Sequence, residues 1–270
     1  MLELRPPEAG EFLTPVRARL DPDRSTPPLS GWFEPFLDRF VAQAQRVGGQ
    51  AVVAVEDGAT VGLLLTDPEE RTASLFARTA EVAAALRPLA GGVPTYEEAD
   101  RPAPREEFVV YTVPLPPPEP HRFRHPVRLL RADDADAVAA LLAEVYGHAP
   151  RRWLEVAGDE GEVGLGTEVD GRLAGVAWVL AVGGTARLHG LTVRADRRRL
   201  GVGADLLHAR LLYAAQRGAV SALSEIAVEN TASRALAERS GARDAGRVYL
   251  YRSPPEGGPV ARPPAVGELP

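Results

Sequence analysis

The chain contains no cysteine and no lysine among its 270 residues. The lack of cysteine excludes disulfide bonds and thiolate chemistry, and it is typical of a cytoplasmic protein. All 31 basic residues are therefore arginine, which we attribute to a GC-rich genome rather than to function. No run of about 18 apolar residues is present, so we expect no membrane-spanning helix. The N-terminal residues lack a basic stretch followed by an apolar one, which predicts no secretion signal.

Charge and composition narrow the class of protein further. A net charge of −6 argues against general nucleic-acid binding. An apolar content of 45% and a charged content of 25% are those of a soluble globular protein. A chain of this length can bury two cores of ordinary size, so we expect two domains. The sequence leaves the oligomeric state open, with a homodimer as one alternative.

A proline-rich segment divides the chain. Residues 113–120 read Val-Pro-Leu-Pro-Pro-Pro-Glu-Pro, and consecutive prolines favour an extended connector that no helix or central strand can accommodate. We therefore predict a first domain over residues 1–112, a linker over 113–126 and a second domain over 127–252. Residues 253–270 are rich in proline and glycine, which predicts a flexible tail.

The stretch from Val193 to Ala204 carries the most specific pattern in the chain. It leads from an apolar strand through an arginine-rich turn into an amphipathic helix. Gly201 and Gly203 allow a close approach of the backbone, and the first turn of the helix offers unpaired amides and the positive end of a dipole. Such a turn binds phosphate or pyrophosphate. A P-loop is excluded because no Gly-Lys-Ser/Thr is present, and a dinucleotide fingerprint because Leu206 stands where it requires glycine.

This stretch resembles the pyrophosphate turn of the GNAT superfamily of N-acetyltransferases. The family pattern Arg/Gln-x-x-Gly-x-Gly/Ala is matched by Arg198, Gly201 and Gly203. The order of strands and helices expected over residues 127–252 also resembles that fold. The resemblance implies an α/β fold with a mixed sheet, namely the acyl-CoA N-acyltransferase fold, in the second domain. It further implies that acetyl-CoA is the co-substrate and that an acetyl group passes to an amine.

By the same resemblance, the cofactor lies where the fourth and fifth strands of the second domain diverge. Backbone groups of the fourth strand would pair with the pantetheine arm, the turn would hold the pyrophosphate, and an asparagine that opens the last helix would contact the arm. The implied cofactor-binding residues are Leu191, Thr192, Val193, Arg198, Arg199, Leu200, Gly201, Val202, Gly203, Ala204, Asn230 and Ser233. A physical alternative for Asn230 is an ordinary helix N-cap.

Two residues are candidates for the general base that removes the proton of the amine. Glu225 lies five residues before Asn230, at the offset where the branch of the family that acetylates protein N-termini carries its base. His189 lies on the fourth strand, where many family members place a catalytic glutamate, and an imidazole suits proton transfer near neutral pH. We expect Glu225 to contribute more than His189.

One position departs from the family pattern. Many members carry a tyrosine directly after the leucine of the last helix, where it protonates the leaving thiolate, whereas this chain has Ala237. The departure leaves a non-catalytic acyl-CoA-binding module open as an alternative to an enzyme. An interaction scaffold without a ligand is a third alternative, against which the intact phosphate turn argues.

The remaining histidines show no spacing typical of metal ligands, so we predict no metal site. Two of them, His121 and His125, fall in the proline-rich linker, where we expect both to face solvent. The acceptor of the acetyl group stays open between a small amine and a protein N-terminus.

The first domain has a weaker pattern. Strands are predicted over residues 50–55, 61–66, 72–76 and 108–113, and a helix over residues 79–89. This succession resembles the middle of the same fold without its phosphate turn, since residues 76–79 contain no glycine. We expect a degenerate GNAT-like half, with an unrelated α+β accessory domain as the alternative. In neither case do we expect this domain to bind the cofactor.

Overall fold

The computed structural model describes residues 1–8, 11–12, 30, 32–98, 105–118, 120–147 and 162–251. Packing divides the chain into two compact units, and each unit combines two separate stretches of the sequence. Among the described residues, the first unit comprises Met1–Phe108 and the residues from Arg247 to Tyr251, and the second comprises Val109–Gly246. The predicted flexible tail lies outside the described residues.

The described residues of the first unit form a sheet and two helices. Its elements are β1 (Leu2–Arg5), α1 (Leu37–Arg46), β2 (Ala51–Glu56), β3 (Ala59–Asp67), β4 (Thr72–Ala77), α2 (Ala80–Leu86), β5 (Thr95–Glu97), the start of β6 (Arg105–Pro114) and the end of β12 (Arg243–Tyr251). Strands β1 to β4 are antiparallel neighbours in chain order, and β5 pairs in parallel with β4. The end of β12 pairs with β5 in the antiparallel direction.

The described residues of the second unit repeat this arrangement, with α5 as a further helix. Its further elements are β7 (Val127–Leu129), α3 (Ala135–Tyr146), β8 (Glu162–Val169), β9 (Arg172–Val182), β10 (Thr185–Val193), α4 (Val202–Gln216), β11 (Ser221–Ala227) and α5 (Thr231–Arg239). Strands β7 to β10 are antiparallel neighbours, and β11 pairs in parallel with β10. Within this unit the strand order is β7-β8-β9-β10-β11-β6, so β6 lies beside β11. The predicted mixed α/β sheet is confirmed.

The core of the second unit lies on both faces of its sheet. Helix α4 covers one face, where Leu206, Leu211 and Ala214 are fully buried. Helix α3 covers the other face and packs against Trp178 of β9. Because paired residues of neighbouring antiparallel strands share a face, the register of β10 on β9 assigns His189 to the same face as Trp178.

The corresponding turn of the first unit differs from that of the second. Only Arg78 and Thr79 separate β4 from α2, and the Thr79 hydroxyl caps the helix by accepting a hydrogen bond of 3.3 Å from the Val82 amide. A capped helix start satisfies amides that a phosphate would otherwise bind. Among the described residues of this unit, the turn between β4 and α2 therefore has a capped helix start and not a glycine-rich phosphate turn.

The compact units do not follow the predicted domain boundaries. Residues 109–112 were assigned to the first domain but belong to the second unit, and residues 247–251 were assigned to the second domain but belong to the first unit. The physical reason is strand pairing, because each sheet is completed by a strand from the other half of the chain. No helix in the described part of the chain is long and apolar enough to cross a membrane.

A truncation tests this exchange of strands. Deleting residues 247–270 removes the partner of β5 together with the buried side chains of Val248 and Leu250, each of which contributes about 1.5–3 kcal/mol. We expect the first unit to melt at a lower temperature and the amides of Thr95–Glu97 to lose protection from hydrogen exchange. Deleting residues 252–270 alone is the matched control and leaves this protection intact. Equal protection in both truncations would contradict the pairing.

Candidate active site

The site is built around an opening between the parallel strands β10 and β11. Their pairing runs from Thr185 with Ser221 to Arg187 with Leu223 and stops there within the described strands. On its other side, β10 shifts register against β9 between His189 and Thr192, which marks a β-bulge. The backbone of β10 beyond the bulge is therefore not bonded to β11, as expected for a strand that receives an extended ligand.

A buried arginine of α4 forms hydrogen bonds to the backbone at the bulge. The Nη1 atom of Arg210, on α4, donates hydrogen bonds to the carbonyl oxygens of Trp178 at 3.3 Å and of His189 at 3.2 Å. Burial lowers the pKa of Arg210 to about 9, so its guanidinium stays charged at neutral pH. Charge-assisted hydrogen bonds to backbone carbonyls are strong in a dry interior. Arg210 thus ties the two strands together where β10 changes register.

The turn before α4 has an open helix start. Gly201 has a φ of 100° and precedes the helix without a side-chain cap, which leaves the amides of the first turn available. The Nε atom of Arg198 donates to the carbonyl oxygen of Val193 at 3.3 Å, so this side chain closes the turn. A Cβ atom at Gly203 would make ordinary contacts of 3.6 Å with Leu236 and 3.7 Å with Val193.

The other arginines of the motif have different environments. Arg194 pairs with Glu144 at 3.0 Å, and Arg197 pairs with Asp170 at 3.1 Å. Arg199 is exposed with a φ of 63°, and Leu200 beside it is also exposed. The arginine patch that the sequence indicated is therefore partly neutralised by carboxylates.

Asn230 opens helix α5 as an N-cap. Its Oδ1 atom accepts a hydrogen bond of 3.1 Å from the Ser233 amide. The ordinary capping role is confirmed, and the implied contacts of Asn230 and Ser233 with a cofactor stay predictions.

The two candidate bases lie at corresponding positions of the diverging strands. The parallel register pairs residue 187 with residue 223, so its extension places His189 opposite Glu225 on the same face of the sheet. Each has a charged neighbour. The Nε2 atom of His189 lies 2.7 Å from Oε1 of Glu162, and the Nε atom of Arg187 donates to Oε1 of Glu225 at 2.9 Å. Neither Glu162 nor Arg187 was found by the sequence analysis.

A tyrosine and a buried threonine lie on the face of the sheet that carries His189. Tyr146, the last residue of α3, has its hydroxyl 2.9 Å from Oγ1 of Thr192. The face that carries His189 is thus bordered by hydroxyl, imidazole and carboxylate groups, which suit the recognition of an amine and the transfer of its proton.

The space beside Ala237 is filled by another tyrosine. Tyr111, on β6, packs against Ala237, and its hydroxyl donates to Glu238 at 2.6 Å and accepts from Nε of Arg234 at 3.2 Å. Burial, followed by the hydrogen bond to Glu238, raises the pKa of Tyr111 above its usual range. The small side chain of Ala237 is therefore packed against a bulky residue from a strand that is distant in the sequence.

The expectation that His121 and His125 face solvent was wrong. The Nε2 atom of His121 lies 2.7 Å from Oδ1 of Asp205, and the Nδ1 atom of His125 lies 2.8 Å from Oδ2. Asp205 is fully buried in the first turns of α4. Burial alone would raise the pKa of this carboxyl, but the hydrogen bonds from both histidines and from backbone amides outweigh it and lower the pKa. A buried carboxylate requires such donors, and the linker supplies them.

A cleft of about 380 Å³ adjoins this network between α4 and α5. The rings of His121 and His208 stack in it with centroids 4.0 Å apart, and Arg239 also lines it. Among the described residues, no cluster of three or more His, Asp or Glu is arranged to hold a metal ion.

Comparison with known proteins finds a family that most of the second unit resembles. The Acetyltransferase (GNAT) family matches residues 127–242. Two curated relatives are similar over 132 residues, the mycothiol acetyltransferase of Clavibacter sepedonicus at 34% identity and that of Clavibacter michiganensis subsp. michiganensis at 33% identity. Each match covers 45% of this chain and 43% of the relative, so the chain spans less than half the length of these relatives.

Solved structures extend the likeness of fold to the first unit. A tandem GNAT protein from the clavulanic acid biosynthesis pathway matches with a TM-score of 0.61 at 17% identity, over 95% of this chain and 100% of that one. A GCN5-related N-acetyltransferase from Sphaerobacter thermophilus matches with a TM-score of 0.62 at 16% identity, over 93% and 94% of the two chains. At these identities the likeness shows the fold alone. The predicted fold of the second domain is confirmed, and a GNAT-like first half is consistent with the tandem match.

The environment of His208 predicts a pH effect on stability. Burial, and then the nearby His121, lower the pKa of His208 to about 4, below the value of about 6.5 in an unfolded chain. The unfolded state therefore binds more protons in this window, and folding stability is lost as the pH falls from about 6.5 to about 4. We expect His208→Gln to lose less melting temperature than the native protein between pH 7 and pH 4.5. An equal loss of melting temperature in the two proteins would contradict this environment.

Proposed function

Because residues 127–242 match the Acetyltransferase (GNAT) family, we propose that the second unit transfers an acetyl group from acetyl-CoA to an amine. The observation that carries this proposal is the uncapped start of α4 beside the opening between β10 and β11. An anion-binding helix start and an unpaired strand edge together fit a long ligand with a pyrophosphate at one end and amide groups along its arm.

The residues of this chain fit that cofactor. Gly201 has no Cβ atom where the turn is tightest, and the first amides of α4 have no side chain as a partner within the described turn. The backbone of Leu191, Thr192 and Val193 borders the opening and would pair with the pantetheine arm. Asn230 and Ser233 lie at the start of α5, where the same arm would pass. The family supplies this assignment, and the geometry supports it.

When bound, acetyl-CoA supplies the activated thioester, and this chain supplies the groups that position the amine and accept its proton. We assign the base to His189, whose ring points along the face that also carries Tyr146 and Thr192. The Oε1 atom of Glu162 lies 2.7 Å from Nε2, so the negative charge of this carboxylate would stabilise the imidazolium that forms on proton transfer.

This assignment reverses the order that the sequence indicated for the two bases. Glu225 is already bonded to the guanidinium of Arg187, and it would have to give up that ion pair to take a proton. We therefore propose that Glu225 contributes less to proton transfer than His189, and that its ion pair with Arg187 helps to hold the diverging strands in place.

The class of acceptor is a separate part of the proposal. The curated relatives are named mycothiol acetyltransferases, which makes an acceptor of that class the first to test, together with small amines, amino acids and peptide N-termini. A non-catalytic acyl-CoA-binding module is the second candidate, and the observation that favours it is Ala237, where the family tyrosine is missing.

A pair of glycine variants tests cofactor binding. Gly201→Ala forces a φ of 100° on a residue with a side chain and places its Cβ atom 2.8 Å from a neighbouring arginine, so we expect the Kd for CoA to rise about tenfold or more. Gly218→Ala forces a comparable φ of 84° on a residue just beyond the C-terminal end of α4, away from the turn, and is the matched control, with a change of less than about threefold. Calorimetry on folded variants measures both. Unchanged affinity in Gly201→Ala would contradict the assignment of the turn.

A second pair of variants tests the reaction. Release of free CoA from acetyl-CoA is measured with a panel of amines, and the productive amine is then used with His189→Gln and Glu225→Gln. Loss of a general base typically lowers the rate by about 10²–10⁴-fold. We therefore expect His189→Gln to lower kcat by a factor in this range and Glu225→Gln to lower kcat by less than about tenfold.

The outcomes separate the proposals. CoA binding without release of free CoA across the panel would support the non-catalytic module. A severe loss in Glu225→Gln with a mild one in His189→Gln would restore the order that the sequence indicated.

A further inference from the structure

The segment Pro120–His125 lies across the start of α4 and is bonded to it. Besides the two histidines, the amide of Arg124 donates to the carboxylate of Asp205 at 3.2 and 3.3 Å, and the amide of His125 donates at 2.9 Å. Two side chains and two backbone amides of the segment thus converge on one buried carboxylate. The backbone of Arg124 is held by this carboxylate and not only by its neighbours in the chain.

The side chain of Arg124 extends over the phosphate turn. Its Cδ atom lies 2.8 Å, and its Nε atom 3.5 Å, from the position that a Cβ atom would occupy at residue 201. Gly201 immediately precedes the first helical residue of α4, Val202. The guanidinium therefore lies beside the open amides of the helix start, and a residue other than glycine at 201 would displace it.

Charge pairing distinguishes Arg124 from Arg194 and Arg197 of the motif. Arg194 and Arg197 are paired with carboxylates, and Arg198 bonds a backbone carbonyl. Within the described part of the chain, Arg124 forms no ion pair with a carboxylate, and its side chain is exposed. A guanidinium with free donors next to uncapped amides is a suitable partner for a doubly charged pyrophosphate.

We propose that Arg124 is a cofactor-binding residue that contacts the pyrophosphate of CoA, and that Asp205 is the positioning residue that holds it there. The inference rests on the proposed function, because it concerns the same site. It assigns part of the site to the segment that precedes β7, which lies outside the glycine motif. At the equivalent turn of the first unit, between β4 and α2, the Thr79 side chain caps the helix instead.

Binding measurements test the role of Arg124 independently of turnover. The Kd of CoA is measured by calorimetry for the native chain, Arg124→Ala and the matched control Arg122→Ala, an exposed arginine two residues earlier. Loss of one charge-assisted contact predicts a Kd about tenfold higher for Arg124→Ala. Arg122→Ala should bind as the native chain does.

A second ligand identifies the phosphate that is contacted. Dephospho-CoA keeps the pyrophosphate and lacks the 3′-phosphate, so we expect the same loss in Arg124→Ala with both ligands. A loss of affinity seen with CoA alone would overturn the assignment to the pyrophosphate. An equal loss in Arg122→Ala would show that the net charge of the segment, and not a contact of Arg124, causes the effect.

A double-mutant cycle tests the positioning role of Asp205. Asp205→Asn removes the charge that attracts the segment while it keeps the size of the side chain, and we expect it to weaken CoA binding. In the Arg124→Ala background the same change should have little further effect, because the guanidinium that it positions is gone. Additive losses would contradict the positioning role.

Failure of the inference and failure of the proposed function give different results. If the native chain binds CoA and Arg124→Ala binds equally well, the inference is wrong and the function stands. If the native chain binds neither ligand, the proposed function fails and the inference fails with it. Should Asp205→Asn not fold, the comparison of Arg124→Ala with Arg122→Ala decides the question.

Discussion

The parallel strands β10 and β11 pair over only three residues each, and the rest of the second unit is arranged around the opening that follows. Unpaired backbone groups inside a sheet are costly unless a ligand, water or a side chain satisfies them. The bulge at Gly190 and the buried Arg210 hold β10 in this diverging path, and the ion pair of Arg187 with Glu225 lies where the divergence begins. The candidate base His189 lies at the same place, so the opening that would admit a thioester also carries the group that would take the proton.

Arginine has two separate roles around this opening. Arg210, Arg194 and Arg197 bond to carbonyls or carboxylates of the chain itself and stabilise the scaffold. Arg124 has its backbone bonded and its guanidinium uncommitted, which is the arrangement of a ligand-binding residue. In a chain without lysine, the local partner of each arginine decides which role it has.

Local chemistry explains which parts of the fold the sequence predicted. Gly201 ahead of an apolar helical pattern predicted the start of α4, because this signal lies within a few residues. The partners of Asp205, Glu225 and Tyr111 lie 38 to 127 residues away in the chain, and no short-range pattern encodes them. Ala237 was recognised as a departure, but the tyrosine that fills its surroundings comes from β6 and could not be found without the sheet order.

The exchange of β6 and β12 between the units has a consequence for synthesis on the ribosome. A nascent chain usually folds its N-terminal domain first, as soon as that part has emerged. Here the strand that pairs with β5 ends at Tyr251, so the N-terminal sheet stays incomplete until this residue has been translated. Residues 109–114 of β6, in contrast, are made before the strand β11 beside which they lie. Completion of the two sheets is therefore nearly simultaneous and late, and an interrupted chain would leave β5 as an exposed edge available for wrong pairing.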